Sequence, residues 1–302
     1  YEHKKNNYIN KICFPYLNMP KNPFFSIVIP TLNEEKYLPI LLEDLSNQTF
    51  TDFEIIHVDG DSEDLTIEKA SEWKNKISIK TEKTEARNVA FQRNLGGEKA
   101  TGQWIIFMDA DNKLPEYFLQ GIKYRLDESI ETDLFTTWIK VEEKTRKYQT
   151  IETAINFNQE ISKIIGKEIA FGAMIGVKKE IFNKIKFDEK HKVGEDGFFV
   201  HSVIKAGYNF SLFRDPTYFY SMRRVEKEGT FKMLIIASQI AIKYLQGKKF
   251  TEKNYGYTMK GGEYYDQITT SPLKNIFSTI EAASEKQLQR VKQILNNFKN
   301  IT

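Results

Sequence analysis

Two carboxylates stand one residue apart near the middle of the chain, directly after an apolar run. The run is Trp104 to Met108, and Asp109-Ala110-Asp111 follows it. Such a run is typical of a buried strand, and strand packing gives no reason for two acids at its tip. Close carboxylates repel unless a proton or cation lies between them, and Mg²⁺ or Mn²⁺ binds one or two carboxylates together with substrate phosphates. The pair predicts a divalent metal site, with two solvated loop acids as the alternative.

A third acid, Asp59, ends another apolar run that begins at Phe53. A carboxylate at a strand end can accept hydrogen bonds from a nucleotide base or from ribose hydroxyls. The residues that follow, Gly60-Asp61-Ser62, also suit a turn and a helix cap. We therefore predict a binding role for Asp59 and a structural role for Ser62.

Further charged residues are candidates for chemistry, each with a plain structural alternative. Asp196 follows Glu195 ahead of an apolar helix, and it is either a general base or a helix cap. Arg87 could recognise a phosphate or a base edge, or be a surface arginine. The pair Arg223-Arg224 could neutralise a leaving diphosphate, or form a solvated basic turn.

Alternating strand and helix patterns would position these residues. The predicted strands cover 24–30, 53–60, 77–79 and 104–111. Between them lie helical patterns at 38–45, 62–73 and 86–100, the last with an expected break near Gly96-Gly97. This order predicts an α/β fold with a mostly parallel sheet and helices on both faces. Ligands of such sheets bind outside the carboxyl ends of the strands, where the acids above are placed.

The rest of the chain is less regular. The apolar, glycine-bearing stretch 171–177 predicts a close backbone approach. Beyond residue 225 we predict a C-terminal helical appendage, with helices at 231–245 and from Ser271 onward. The apolar helix 231–245 could dock on the main domain, pair two subunits as a homodimer, or lie on a membrane surface as a peripheral contact. The predicted divisions are an N-terminal extension 1–22, a domain 23–225 and a C-terminal segment 226–302.

Composition narrows the function classes. The chain has 302 residues, 40% hydrophobic and 28% charged, which suits a globular protein. With 44 basic against 41 acidic residues, the net charge of +3 gives no reason to expect nucleic-acid binding. Cys13 alone forms no intrachain disulfide. The sequence contains no stretch of the ~20 apolar residues that span a bilayer and no visible signal peptide. We therefore expect a cytoplasmic location, either in solution or peripherally at the inner face of the membrane.

The motifs, taken in order, closely resemble the family 2 glycosyltransferases with the GT-A fold. The resemblance covers about residues 24–225, and it is specific because the elements occur in the family's order and spacing. They are Ser26 to Glu34, Val58 to Asp64, Ala86-Arg87-Asn88, Ala100-Thr101-Gly102 with Met108 to Asp111, and Gly194-Glu195-Asp196. The resemblance implies a Rossmann-like GT-A sheet and a hexosyltransferase that uses a nucleotide-sugar donor.

For the nucleotide, the resemblance implies contacts from the first two strand ends. Pro30, Thr31 and Glu34 match the loop that surrounds the nucleotide. Asp59 matches the acid that holds the base, and Arg87 matches the Arg-Asn position near the nucleotide. The family's usual Asp-Asp-Gly-Ser is here Asp-Gly-Asp-Ser, so the resemblance leaves the role of the second acid open.

For the diphosphate, the resemblance implies a metal held by the Asp-x-Asp motif. Asp109 and Asp111 match the ligands of Mg²⁺ or Mn²⁺, with Ala110 beside the nucleotide. Arg223 and Arg224 stand roughly where an arginine would contact the diphosphate. The later Gln-x-x-Arg-Trp motif of processive synthases is absent from the sequence.

For the acceptor, the resemblance implies a glycan or lipid-linked glycan hydroxyl. Asp196 matches the catalytic base of an inverting transfer, with Glu195 beside it, and Gly172 falls in the stretch that lines the acceptor site. UDP-sugars are the favoured donors and GDP-sugars come next. One alternative is a catalytically inactive nucleotide-binding scaffold on the same fold. Another is a nucleotidyltransferase, although residues 31–35 lack the glycine-rich loop expected after its first strand.

Overall fold

A computed structural model describes residues 22–164, 170, 172–191 and 194–228. The strands are β1 Phe25–Thr31, β2 Phe53–Asp59, β3 Ile79–Lys83, β4 Trp104–Met108, β5 Leu134–Lys140, β6 Met174–Lys178 and β7 Phe210–Phe219. The helices are α1 Leu38–Ser46, α2 Thr66–Ser71, α3 Val89–Lys99, α4 Phe118–Glu128, α5 Arg146–Ile164, α6 Lys179–Phe182, α7 Glu195–Lys205 and α8 Arg223–Glu228.

The strands form a single seven-stranded sheet in the order β3-β2-β1-β4-β6-β5-β7. Strands β1 to β4 pair in parallel, and so do β5 and β7. Strand β6 runs antiparallel to both of its neighbours, β4 and β5. The predicted α/β fold with a mostly parallel sheet is confirmed. The reversed β6 was not anticipated, and it brings the residues just before β6 to the carboxyl end of β4.

The sheet is buried on both faces, which explains its continuous apolar strands. In β1, Ile27 and Ile29 pack into the cluster that contains Leu41 of α1. Val28 between them packs into the opposite cluster, with Val200 of α7. Neighbouring strand residues point to opposite faces, and each fully buried aliphatic side chain contributes about 1.5–3 kcal/mol of stabilisation. The sheet edge is thereby held rigidly from both sides.

Helix α3 is continuous, so the break expected at Gly96-Gly97 is wrong. A Cβ atom at Gly96 would lie 2.4 Å from Cγ1 of Val28, and one at Gly97 would lie 2.4 Å from the ring of Phe182. These glycines let the helix lie close against its neighbours. Their cost in helix propensity, about 1 kcal/mol each, is offset by that packing.

Two other predictions can be compared with the described residues. The strand predicted at 77–79 lies at Ile79–Lys83. The close approach predicted for 171–177 is confirmed, because a Cβ at Gly176 would lie 2.1 Å from the Phe135 ring. The extension 1–21 and the predicted helices beyond residue 228 lie outside the described residues, and the domain boundaries stay predictions. No helix within the described ranges is long and apolar enough to cross a membrane.

Candidate active site

Four strand ends bring the candidate residues to one edge of the sheet. Thr31 at the end of β1 pairs in register with Asp59 at the end of β2. Asp109 follows β4, and its backbone N–H donates to the carbonyl of Ala173, just before β6 (3.1 Å). Parallel strands end at the same edge, and the antiparallel β6 begins there. The strand-end acids Asp59 and Asp109 therefore lie along the same edge of the sheet, with β1 between their strands.

The Asp109-Ala110-Asp111 turn presents two partly exposed carboxylates. Their side chains are 37% and 23% exposed, whereas Ala110 is buried. Burial raises the pKa of Asp109, and the charges of Arg93 and Arg224 oppose that rise. The methyl group of Ala110 packs in the core, so only its backbone could contact a nucleotide.

Arg93 of α3 is the residue that sequence reasoning missed. It is 1% exposed, and its guanidinium donates to Oε1 of Glu195 (2.8 Å), Oδ1 of Asp109 (3.0 Å) and the carbonyl of Gly172 (2.9 Å). A buried arginine needs such partners, because an unpaired charge in the interior is costly. Arg93 thus joins the metal-motif acid to the Glu-Asp pair in the first turn of α7.

Two signals in the sequence pointed to Arg93. The chain contains two Arg-Asn pairs, at Arg87 and at Arg93, and our prediction chose the first. Arg93 also shares a helix face with Ala90 and Gly97, at spacings of three and four residues, and both of those residues are buried. An arginine on a buried face indicates an ion pair.

Asp196 and Glu195 point to different partners at the start of α7. Oδ2 of Asp196 accepts from the N–H of Gly172 (2.6 Å), whereas the buried Glu195 binds Arg93. Burial raises the pKa of Glu195 to about 7, with a further increase from the Asp196 charge. A Cβ atom at Gly172 would lie 2.8 Å from Nη2 of Arg93 and 3.0 Å from Oδ2 of Asp196, so a larger residue would have to displace the end of one of these side chains.

Arg223 connects the first loop to the metal motif. Its Nη2 lies 3.0 Å from Oε2 of Glu34 and 2.8 Å from Oδ2 of Asp111. Its guanidinium carbon also lies 3.7 Å from the ring centre of Tyr37. Burial raises the pKa of Glu34 to about 8, against the lowering effect of Arg223. For the pair Arg223-Arg224, the alternative prediction was a solvated basic turn. That alternative is wrong for Arg223, because its side chain is only 11% exposed. Burial raises the pKa of Tyr220 to about 12, and the charge of the nearby Arg224 opposes that rise.

Asp59 is fully buried and bound within the protein. Its Oδ1 accepts from the N–H of Ser62 (2.8 Å), and its Oδ2 accepts from the hydroxyls of Ser62 (2.6 Å) and Thr31 (2.9 Å). Pro30 is buried in β1 beside Val58. A direct contact between Asp59 and a base stays a prediction, and this enclosure favours a role in shaping the loop.

Arg87 lies on the outer side of the same edge. It donates to the carbonyl of Asp61 (3.1 Å) and to the carboxylate of Glu63. Its side chain is 46% exposed. The structure therefore places Arg87 with the loop after β2, and Arg93 at the acids after β4.

The two acids fit a divalent cation that is shared with substrate. Among the residues described, no group of three or more His, Cys, Asp or Glu converges as a cage. Asp109 and Asp111 would therefore be the carboxylate ligands, with phosphate oxygens and water completing the coordination. That combination is the one Mg²⁺ and Mn²⁺ prefer, so the donor set is suitable.

His57 should make the protein sensitive to acid. This buried side chain bonds Thr31 through Nε2 (2.8 Å), and burial lowers its pKa to about 4. An unfolded chain binds the proton near pH 6.5, so stability is complete above pH 6.5 and is lost as the pH falls toward 4. We expect a loss of roughly 3 kcal/mol across that window from this group.

Urea unfolding at pH 4.5 and pH 7 would measure this effect in the wild type and in His57→Gln. Glutamine keeps a donor for Thr31 but does not titrate. The difference in unfolding free energy between the two proteins should shrink at low pH. Parallel pH curves would contradict the lowered pKa, because they require folded His57 to have the pKa of an unfolded chain.

Comparisons with known proteins agree with this geometry. The model of the family described as "Glycosyl transferase family 2" matches residues 26–186, more than half of the chain. The chain is 27% identical over 210 residues to the poly(ribitol-phosphate) beta-N-acetylglucosaminyltransferase TarS of Staphylococcus aureus, covering 66% of this chain and 36% of TarS. It is 27% identical over 258 residues to TarP of the same species, covering 82% of this chain and 73% of TarP. The chain thus spans about a third of TarS.

Solved structures show the same fold. The crystal structure of TarS 1–349 superposes with a TM-score of 0.54 at 26% identity, covering 66% of this chain and 60% of that chain. That TarS fragment has also been crystallised with UDP and with UDP-GlcNAc. The mannosyltransferase PcManGT of Pyrobaculum calidifontis, in complex with GDP-Man and Mn²⁺, gives 0.56 at 17% identity over 67% of this chain and 58% of its own, which supports the fold alone. The chain therefore belongs to glycosyltransferase family 2 and has its GT-A fold.

Proposed function

We propose that this protein is a metal-dependent, inverting glycosyltransferase that moves a sugar from a nucleoside-diphosphate donor to a hydroxyl acceptor. The observation that carries the proposal is the pair of contacts made by Arg93. Its buried guanidinium binds both Asp109 of the metal motif and Glu195, the neighbour of Asp196, at the same sheet edge. Donor activation and acceptor deprotonation would then occur side by side.

On the donor side, Asp109 and Asp111 would hold Mg²⁺ or Mn²⁺ against the diphosphate. When bound, the metal would stabilise negative charge on the leaving diphosphate. Arg223 forms ion pairs with Asp111 and Glu34, and Arg224 is close enough to Asp109 for its charge to act on that acid. Both arginines can therefore add positive charge at the leaving group. Thr31, Glu34 and the loop after β2 would form the nucleotide end of the site.

On the acceptor side, Asp196 would act as the general base. The acceptor oxygen attacks the anomeric carbon, the bond from that carbon to the diphosphate breaks on the opposite face, and the acceptor proton passes to Asp196. The bond from the N–H of Gly172 to Oδ2 fixes the carboxylate in place. This route inverts the anomeric configuration and needs no covalent enzyme intermediate.

The donor proposed is a UDP-sugar, with GDP-sugars next, and the acceptor is a glycan or lipid-linked glycan. TarS and TarP are named for N-acetylglucosamine transfer to poly(ribitol phosphate), and TarS has been crystallised with UDP-GlcNAc. These names support a UDP-sugar and a polymeric surface glycan as the first substrates to test. Release of UDP from such donors with Mg²⁺ or Mn²⁺ would separate an enzyme from an inactive nucleotide-binding scaffold.

Asp111→Ala tests the metal-dependent donor site. The variant loses one of two carboxylate ligands, so we expect UDP affinity in Mn²⁺ to fall by at least ~10- to 100-fold, the range seen when even outer support of a metal site is removed. Isothermal titration of UDP with and without Mn²⁺ measures it.

Asp127→Ala is the matched control, because that acid is exposed on α4 and pairs with Lys123. It should bind UDP like the wild type. Equal Mn²⁺-dependent affinity in Asp111→Ala and the wild type would contradict the proposed metal site.

A further inference from the structure

Helix α8 is joined to the rest of the protein by side chains at its first and fourth positions. Arg223, the first, forms ion pairs with Glu34 and Asp111. Glu226, the fourth, accepts a hydrogen bond at Oε1 from the hydroxyl of Tyr148 on α5 (2.6 Å). Residues three apart lie on one face of a helix, so both contacts act on the same side of α8.

A helix as short as α8 cannot fix its own position. It has six residues, whereas isolated helices shorter than about 12–15 residues are marginal in water. The placement of the Arg223 guanidinium therefore depends on the tertiary contacts of α8. The chain enters the helix from Tyr220, whose N–H donates to the carbonyl of Lys140 at the end of β5 (2.8 Å). The bond from Tyr148 to Glu226 holds the helix beyond that point.

Helix α5 gives Tyr148 a fixed position relative to the sheet. Oδ1 of Asn156 accepts from the N–H of Ile139 in β5 (2.9 Å), and its Nδ2 donates to the carbonyl of the same residue (3.0 Å). Oε2 of Glu152 accepts from the N–H of Val141, just after β5 (2.9 Å). Tyr148, Glu152 and Asn156 recur every four residues and so share one face of α5. The buried Tyr148 is therefore held by the same face that binds the sheet.

The chemistry of the bond between Tyr148 and Glu226 suits an anchor. Burial raises the pKa of the Tyr148 hydroxyl, and the bond to Glu226 raises it further. The phenol therefore keeps its proton at neutral pH and remains a donor to the carboxylate. The distance of 2.6 Å lies in the range of a hydroxyl bound to a carboxylate, about 2.5–2.7 Å. Such charge-assisted bonds are stronger than those between neutral groups.

We propose that Tyr148 and Glu226 are positioning residues, whose bond holds α8 so that Arg223 is placed at Asp111 before the diphosphate binds. The inference rests on the proposed function, since it explains how the donor site of that function keeps its shape. A side chain that is already fixed loses less conformational entropy when a ligand arrives. The bond between α5 and α8 should therefore strengthen diphosphate binding, although neither of its residues contacts the metal motif.

Isothermal titration of UDP in Mn²⁺ tests the inference with Tyr148→Phe, which removes only the hydroxyl. We expect UDP affinity to fall by about 3- to 10-fold, the equilibrium equivalent of one hydrogen bond. Glu226→Ala should lower it by the same factor. Glu226→Gln keeps an amide oxygen that accepts from Tyr148, so it should stay within about twofold of the wild type. The matched control is Tyr124→Phe, which breaks a similar bond to Glu128 on α4 (2.7 Å) and should bind UDP like the wild type.

The Arg223→Met background shows whether the bond acts through Arg223. In that background Tyr148→Phe should change UDP affinity by less than about twofold, because no guanidinium is left to position. The same loss in both backgrounds would overturn the inference, since Tyr148 would then support the site by another route.

Wild-type UDP affinity in Tyr148→Phe and Glu226→Ala, or in Arg223→Met, would also overturn the inference. If UDP binding is still Mn²⁺-dependent and sensitive to Asp111→Ala in those cases, the proposed function stands without it. If the wild type does not bind UDP with Mn²⁺, the proposed donor site fails and the inference fails with it.

Discussion

Asp196→Asn is expected to reduce sugar transfer by about 10²- to 10⁴-fold, the usual contribution of a positioned general base. The amide has the shape of the carboxylate, and its oxygen can still accept the N–H of Gly172 that Oδ2 accepts at 2.6 Å. It cannot take up the acceptor proton. Steady-state transfer from a UDP-sugar would measure the loss.

Donor binding should survive this substitution, because Asp109 and Asp111 are unchanged. Titration of UDP in Mn²⁺ should therefore give the wild-type affinity for Asp196→Asn. A matched control is Asp188→Asn, a more exposed acid on the preceding loop that caps the N–H of Lys190, and it should transfer normally. Turnover near the wild-type rate in Asp196→Asn would exclude Asp196 as the base. Loss of UDP affinity would instead assign Asp196 to donor binding.

The positions of the strand-end acids can be predicted from the sequence, because local apolar patterns determine where each strand ends. Apolar runs that end in Pro30, Asp59 and Asp109 mark strands that stop at one edge, because parallel strands joined by helices share a direction. The alternation of strand and helix therefore places the acids together before any contact is known. Asp196 is found in the same way, as an acid ahead of an apolar helix.

The contacts that organise the site depend on residues far apart in the chain. Arg93 binds Glu195, 102 positions away, and Arg223 binds Glu34, 189 positions away. No local period or propensity encodes such pairs, because they form only after the sheet closes. The reversed direction of β6 is also non-local, and without it Gly172 would not reach Asp196.

The choice between two similar motifs was a separate difficulty. Arg87-Asn88 and Arg93-Asn94 have the same two residues, but Arg87 precedes α3 and Arg93 lies on its buried face. The structure separates them clearly, since Arg93 is 1% exposed and the Arg87 side chain is 46% exposed. The two arginines therefore offer a matched pair of substitutions.

Arg93→Met is expected to lower the free energy of unfolding by about 3–5 kcal/mol at pH 7, because it leaves the buried Glu195 and the partly exposed Asp109 without their cation. Glu195 is 3% exposed and would lose its ion pair with Arg93. Asp109 would lose its ion pair with the same guanidinium. Urea unfolding followed by circular dichroism would measure the change. Arg87→Met removes an exposed arginine of the same size, and its unfolding free energy should match the wild type within error.

The cost of Arg93→Met should depend on pH. In the wild type, burial raises the pKa of Glu195 to about 7, above the 4.5 of an unfolded chain, and removing Arg93 would raise that pKa further. A group with a raised folded pKa stabilises the fold at pH below 4.5 and loses that effect as the pH rises through the folded pKa. Neutral Glu195 needs no counter-cation, so Arg93→Met should be better tolerated at pH 5 than at pH 8.

The double variant Arg93→Met/Glu195→Gln separates the ion pair from simple packing. If the buried charge of Glu195 causes the loss, the double variant should be more stable than the sum of the single variants predicts, with a coupling of about 0.5–3 kcal/mol. Its stability should also lose the pH dependence that Arg93→Met shows, because glutamine does not titrate. Additive effects of the two substitutions would show that Arg93 stabilises the site through packing against its neighbours, and that the link from Asp109 to Glu195 is not electrostatic.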